Sequence, residues 1–106
     1  MNSSRDRILL RPGVVLDLAL QGVWKGRHFI PLPPIPFRLL AYLTRHPNQV
    51  IPEVQLLAVG WPGEGRDVSD LYHPMHYLRQ VLEPNPHHPR WLLTRRNAGY
   101  CWRGHK

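Results

Sequence analysis

One cysteine, Cys101, stands in 106 residues. Without a second thiol there is no internal disulfide and no thiolate metal cluster, and a reducing compartment is the expected setting. No run of about 18 apolar residues is present, and Asn2-Ser3-Ser4-Arg5-Asp6 lacks the apolar centre of a signal peptide. A cytoplasmic protein that spans no membrane is expected. Internal repeats and low-complexity linkers are missing too, so the length fits one domain, residues 1–106, with a modest core. No grouping of nucleophile, base and oxyanion donor stands out, and there is no glycine-rich phosphate cradle. Neither catalytic activity nor a cofactor is expected.

Acid is scarce. Seven Asp and Glu oppose fourteen Lys and Arg, a formal net charge of +7. Net charge alone can serve solubility only, so its distribution matters more. From residue 84 onward stand Arg90, Arg95, Arg96, Arg103 and Lys106, with no acid among them. A local basic patch of this kind points to a polyanionic partner such as nucleic acid.

The patch closes the stretch 68–103, which holds an amphipathic segment, a proline-rich break and two strand-like runs. Leu71, Met75, Leu78 and Leu82 recur at helical spacing. A helix over about 71–82 is predicted, with Tyr72, His76, Arg79 and Gln80 outward. Trp91-Leu92-Leu93-Thr94 and Tyr100-Cys101-Trp102 flank Arg95-Arg96-Asn97-Ala98-Gly99, where Asn and Gly tolerate a left-handed backbone, so a hairpin over about 91–103 is expected. Earlier in the chain, Ile8-Leu9-Leu10, Val14-Val15-Leu16 and Leu18-Ala19-Leu20 suggest an antiparallel meander. Val23-Trp24 and His28-Phe29-Ile30 then flank Lys25-Gly26-Arg27 as a further hairpin, so strands are expected over about 8–30.

Prolines in Pro31-Leu32-Pro33-Pro34-Ile35-Pro36 look hostile to a helix, yet the first amides of a helix have no intrahelical acceptor. A helix from about Pro34 to Arg45 is therefore allowed, ending before His46-Pro47. Val50-Ile51-Pro52 reads as an extended link. Val54, Leu57, Ala58 and Trp61 read as the apolar stripe of a second helix over about 53–60, followed by the polar loop Glu64-Gly65-Arg66-Asp67.

Several features have a plainer reading. His73 and His76 lie three apart and His87 and His88 are adjacent, but no cysteine or carboxylate set completes a metal site, so none is expected. Cys101 reads as a structural thiol rather than a nucleophile. Trp24, Trp61, Trp91 and Trp102 read as core or cleft residues, and Arg38 and Arg45 as a solvated helix face.

A helix with polar groups outward, followed by an arginine-tipped hairpin, suits duplex DNA. At this point the chain resembles the winged-helix DNA-binding effector domain of OmpR/PhoB-type response regulators. Leu32-Pro33-Pro34-Ile35-Pro36-Phe37-Arg38-Leu39-Leu40 is similar to that family's LTPKEFRLL, and Arg45-His46-Pro47-Asn48-Gln49-Val50-Ile51 to its RHPGQVV. Gln55-Leu56-Leu57 followed by Trp61 is similar to QLL…VW. Leu78-Arg79-Gln80-Val81-Leu82-Glu83-Pro84-Asn85-Pro86 resembles LRKKLEPDP, and Thr94-Arg95-Arg96-Asn97-Ala98-Gly99-Tyr100 resembles TVRGVGY. The resemblance covers nearly the whole chain.

It implies an α+β fold: a winged helix-turn-helix with an N-terminal antiparallel sheet, three helices and a C-terminal β-hairpin wing. It also implies sequence-specific double-stranded DNA binding as the output domain of a transcriptional regulator in a two-component phosphorelay. Implied partners are duplex DNA, RNA polymerase through the loop after Trp61, and a second copy on DNA. Implied DNA-facing residues are Arg66, Ser69, Tyr72, His73, His76, Tyr77, Arg79, Gln80, Thr94, Arg95, Arg96 and Asn97, with Arg96 foremost.

Departures gather in the recognition helix, where the family typically reads TVDVHIRRLRRKL. His76 and Tyr77 stand at two commonly basic positions, and Pro74 stands inside the expected helix. Pro is tolerated in a first turn but costs about 3 kcal/mol in an interior. Regular helix is therefore expected no earlier than about Leu71, with Ser69 and Asp70 as cap or loop. The altered face also sustains an alternative reading, a module that binds protein with weak DNA affinity. It further predicts that DNA affinity depends on pH through His76.

Overall fold

The computed structural model describes residues 6–104. Lys106 of the basic stretch and residues 1–5 of the N-terminal segment lie outside the described residues. Four short strands come first: β1 (Arg7–Arg11), β2 (Val14–Asp17), β3 (Gly22–Lys25) and β4 (His28–Pro31). They form an antiparallel sheet in chain order, with Ile8 opposite Leu16, Leu16 opposite Val23 and Val23 opposite Ile30. Strand alternation puts this row on the face that meets the helices, where Leu10, Leu16 and Val23 are fully buried.

Leu18-Ala19-Leu20, expected as strand, is instead the turn between β2 and β3. The cause is the Asp17 carboxylate, which accepts from the Leu20 amide at 2.9 Å and from Trp24 Nε1 at 3.1 Å, folding the backbone over itself. Gln21 follows with φ of 58°.

Helix α1 (Pro34–Arg45) carries prolines in its first turn without losing a bond. Phe37 N donates to Pro33 O at 3.0 Å, so the prolines occupy only positions whose amides have no helical acceptor. Strand β5 (Val50–Pro52), read from sequence as a mere link, pairs with the C-terminal hairpin and leads directly into α2 (Glu53–Gly60). The apolar stripe of α2 is turned by about one residue from the expected one. Leu56, Leu57 and Gly60 are buried, whereas Val54 is 74% exposed and Ala58 is exposed. Pairing of β5 fixes how α2 leaves the sheet, and at Gly60 an added Cβ would meet Ile35 and Leu39 at an ordinary contact distance of 3.5 Å.

Helix α3 (Tyr72–Leu82) begins after a 3-10 turn, Val68–Leu71. Regular α-helix thus starts no earlier than the expected Leu71, while Ser69 and Asp70, expected as cap or loop, lie inside the 3-10 turn, which Asp67 caps and to whose capping box Asp70 contributes. Asp67 Oδ2 accepts from Ser69 N and Ser69 Oγ, and Asp67 N donates to Asp70 Oδ2. The Ser69 hydroxyl and amide hold the Asp67 carboxyl below its ordinary pKa. Pro74 is then the third residue of α3, where an amide would look back to a carbonyl of the 3-10 turn, and its ring is buried.

The chain closes with β6 (Leu92–Arg95) and β7 (Gly99–Trp102), and β7 lies between β5 and β6. Asn97, with φ of 61°, supplies the left-handed residue of the hairpin turn, closed by Ala98 N to Arg95 O at 2.9 Å. Gly99 serves a different need. Its φ is 152°, and an added Cβ would lie 1.9 Å from Ile51 O, so only glycine lets β5 approach. The core between the two sheets is largely leucine: Leu39, Leu40, Leu43, Leu56, Leu71, Leu78, Leu82 and Leu92, with Met75 and Trp102.

Candidate nucleic-acid interface

Burial of Pro74, Met75, Leu78 and Leu82, continuing that of Leu71 in the preceding turn, turns one face of α3 inward. The same spacing leaves Tyr72, His73, His76 and Gln80 exposed, Tyr72 at 61%. None of these four carries a permanent charge. His76 lies 6.5 Å, centroid to centroid, from His87 in the loop after α3. Tyr77 points elsewhere. It is half-buried against the core and lines a cleft with Pro33, Ile35, Pro36, Trp61 and Pro74. Its grouping with the exposed face of α3 is not what the fold produces.

Arg79 also departs from a free, outward cation. Its Nε donates to Leu92 O at 2.9 Å and its Nη2 to Thr94 Oγ1 at 2.7 Å, both on β6. The guanidinium is half-buried, 5.9 Å from the Tyr100 ring. Burial pulls the Arg79 pKa below its ordinary value, with Tyr100 and Glu83 opposing, and burial pushes the Tyr100 phenol up. The bridge ties β6 to α3 at Leu92 and Thr94, and Thr94, Arg95, Arg96 and Asn97 are all exposed.

At the other end of α3, Arg66 is exposed but pairs with Glu64 at 3.1 Å and lies 5.3 Å from the Trp61 ring. The Ser69 hydroxyl is engaged by Asp67. Glu64, Asp67 and Asp70 make this end acidic, in contrast with the wing.

Three anchoring residues escaped the sequence reading. Glu83, which ends α3, is buried and accepts from Arg90 N (2.7 Å), Trp91 N (3.0 Å) and Leu92 N (2.7 Å). Arg11 Nη2 donates to Leu82 O at 3.0 Å while its Cζ stacks 3.9 Å from the Trp91 ring, and Lys25 Nζ donates to Val81 O at 2.9 Å. Cations from the N-terminal sheet thus satisfy the last carbonyls of α3, the end where a helix dipole favours positive charge. Only the basic character of Arg11 and Lys25 was visible in sequence; partners 71 and 56 residues away were not.

Among the described residues no group of three or more His, Cys, Asp or Glu could hold a metal ion, and no helix is long and apolar enough to cross a membrane. Cys101 is half-buried in β7, opposite Val50 and Leu93.

Residues 26–102 match the family model described as "Transcriptional regulatory protein, C terminal". The chain is 38% identical over 96 residues to the KDP operon transcriptional regulatory protein KdpE of Escherichia coli K12, covering 90% of this chain and 43% of KdpE. It is 33% identical over 91 residues to the DNA-binding dual master transcriptional regulator RpaA of a Synechocystis strain, covering 85% of this chain and 37% of RpaA. The chain thus spans less than half the length of either relative. Among solved structures, the Klebsiella pneumoniae RstA DNA-binding domain in complex with the RstA box superposes with a TM-score of 0.76 at 27% identity, covering 93% of this chain and 98% of that one. The response regulator DrrB of Thermotoga maritima, an OmpR/PhoB homolog, shares the fold with a TM-score of 0.83 at 21% identity, covering 93% of this chain and 45% of DrrB.

Proposed function

Because the chain belongs to the family of C-terminal domains of transcriptional regulatory proteins, in its OmpR/PhoB type, we propose that it binds double-stranded DNA sequence-specifically as the output domain of a transcriptional regulator. One observation carries the reading for this chain. The Arg79–Thr94 bond ties β6 to α3, and the exposed Arg95 and Arg96 follow at the turn of the same hairpin, in a stretch with no acid after residue 83. In this reading α3 enters the major groove with Tyr72, His73, His76 and Gln80 toward base edges, and the wing meets phosphate or the neighbouring minor groove. No catalytic role is proposed. Control by phosphoryl transfer within a two-component system belongs to the proposal for the whole protein, as does pairing of two copies on DNA.

The test is a titration of fluorescent duplex at several salt concentrations, repeated with Arg96→Ala. Log affinity should fall linearly with log salt, and the mutant slope should be shallower by roughly 0.9 if Arg96 neutralises one phosphate. Absence of binding at low salt would reject the reading.

A second reading has its own observation. The cleft lined by Ile35, Pro36, Trp61, Pro74 and Tyr77 is mainly apolar and opens beside the acidic end of α3. This favours a protein partner there, RNA polymerase or a second copy, and binding to either with no duplex affinity would select it.

A further inference from the structure

Where the β2–β3 turn, α1 and α2 meet, a groove of about 370 Å³ opens at the surface. Its lining is apolar at Leu18, Phe37, Ala41 and Val59, with Tyr42 and the two cations Arg38 and Arg45. Leu18, Phe37, Tyr42 and Val59 pack on the core yet are only half-buried, so apolar surface remains in water. Helical spacing sets Arg38, Ala41, Tyr42 and Arg45 on one side of α1. The step of seven residues from Arg38 to Arg45 spans about 10 Å of that helix.

Both arginines are exposed, and among the described residues neither pairs with a carboxylate. Arg38 Nη2 donates to Gly60 O at 2.6 Å, which anchors its guanidinium at the end of α2. Tyr42 is held as well: its hydroxyl accepts from Gln55 Nε2, and its ring lies 4.6 Å from that of His46. No acid lines the groove, and α1 contains none. A nucleic-acid backbone suits this surface poorly, since apolar side chains occupy the space between two cations that stand about 10 Å apart.

We propose that the groove docks an acidic amphipathic helix of a partner protein. The apolar ridge of that helix covers Leu18, Phe37, Ala41 and Val59, and two carboxylates one heptad apart, also about 10 Å, meet Arg38 and Arg45. A second copy of this chain supplies no such helix. Neither α1 nor α3 contains an acid, and α2 carries only Glu53. None of the residues proposed to meet DNA lines the groove, so its occupation leaves that face open.

The test uses a fluorescein-labelled helical peptide with leucines at steps of three and four residues and two glutamates seven apart. Two further peptides carry glutamine or lysine in place of both glutamates. Each is titrated against wild type, Arg38→Gln and Arg45→Glu. Among the described residues the Arg45 side chain makes no hydrogen bond, so Arg45→Glu should keep the urea midpoint of wild type, and it tests the groove without disturbing the Arg38 anchor.

At low salt, wild type should bind the glutamate peptide about tenfold more tightly than the glutamine peptide, and high salt should shrink that ratio. Backbone amide resonances of Leu18, Phe37, Tyr42 and Val59 should shift on binding. Arg45→Glu should weaken the glutamate peptide about tenfold and strengthen the lysine peptide by a similar factor, and Arg38→Gln should weaken the glutamate peptide about threefold. Failure of the glutamate peptide to bind wild type, or equal binding of all three peptides, would overturn the inference. Displacement of the peptide by a mixed-sequence duplex would overturn it in favour of nucleic acid. Self-association of wild type in sedimentation that Arg45→Glu abolishes would overturn it in favour of a second copy.

Discussion

Glu83, 6% exposed, places one carboxylate against three successive amides at the point where the chain leaves α3 for the wing. Buried amides left without an acceptor lose the full value of their hydration. Glu83→Ala should therefore lower unfolding free energy by about 3 kcal/mol in urea titration, well above the effect of a surface change. Asp17 shows the same economy in the β2–β3 turn. The Leu20 amide first, then the Trp24 indole and Arg7, hold its carboxyl below the ordinary value. A depressed folded-state pKa gives stability that is present above the unfolded value, about 3.9, and lost as pH falls through the folded one. Wild type should lose more stability than Asp17→Asn between about pH 5 and pH 3; equal losses in urea midpoints would show that the turn does not depend on the charge.

At the scale of elements, what sequence could and could not show follows from what each feature depends on. The proline-led start of α1 was legible because it rests on a local fact, the missing acceptors of a first turn. The wing was legible because Asn97 marks its turn. The facing of α2 was not, because β5 pairing orients it: Val54 went outward although its own spacing pointed in. Nor was the side chosen by Arg79, an outward position by periodicity that turns to β6 only because Leu92 O and Thr94 lie there. Pro74 falls between these cases. Its tolerance was readable, but the 3-10 turn that provides it needs the Asp67 cap. Since Pro74 breaks no bond of α3, Pro74→Ala should leave helical ellipticity unchanged and shift stability by less than about 1 kcal/mol, the restored amide offsetting lost ring burial. Proline at the next turn, Leu78→Pro, should abolish folding, with a loss of more than about 3 kcal/mol.

Over the whole molecule, charge runs along the proposed DNA face from acid to base. Glu64, Asp67 and Asp70 stand before α3, and Arg90, Arg95, Arg96 and Arg103 follow it. In the middle Arg79 keeps its charge while donating to Leu92 O and Thr94 Oγ1, and the uncharged Tyr72 and Gln80 share the exposed surface with His73 and His76. With the free cations gathered at the wing, the salt dependence of DNA binding should come mainly from Arg95 and Arg96, since each cation that meets a phosphate releases counterions. Arg95→Ala/Arg96→Ala should flatten the slope of log affinity against log salt by up to about 1.8. His73→Gln/His76→Gln should leave that slope unchanged and weaken binding only through altered hydrogen bonding to base edges. A slope that stays the same in the arginine pair would show that the wing meets no phosphate.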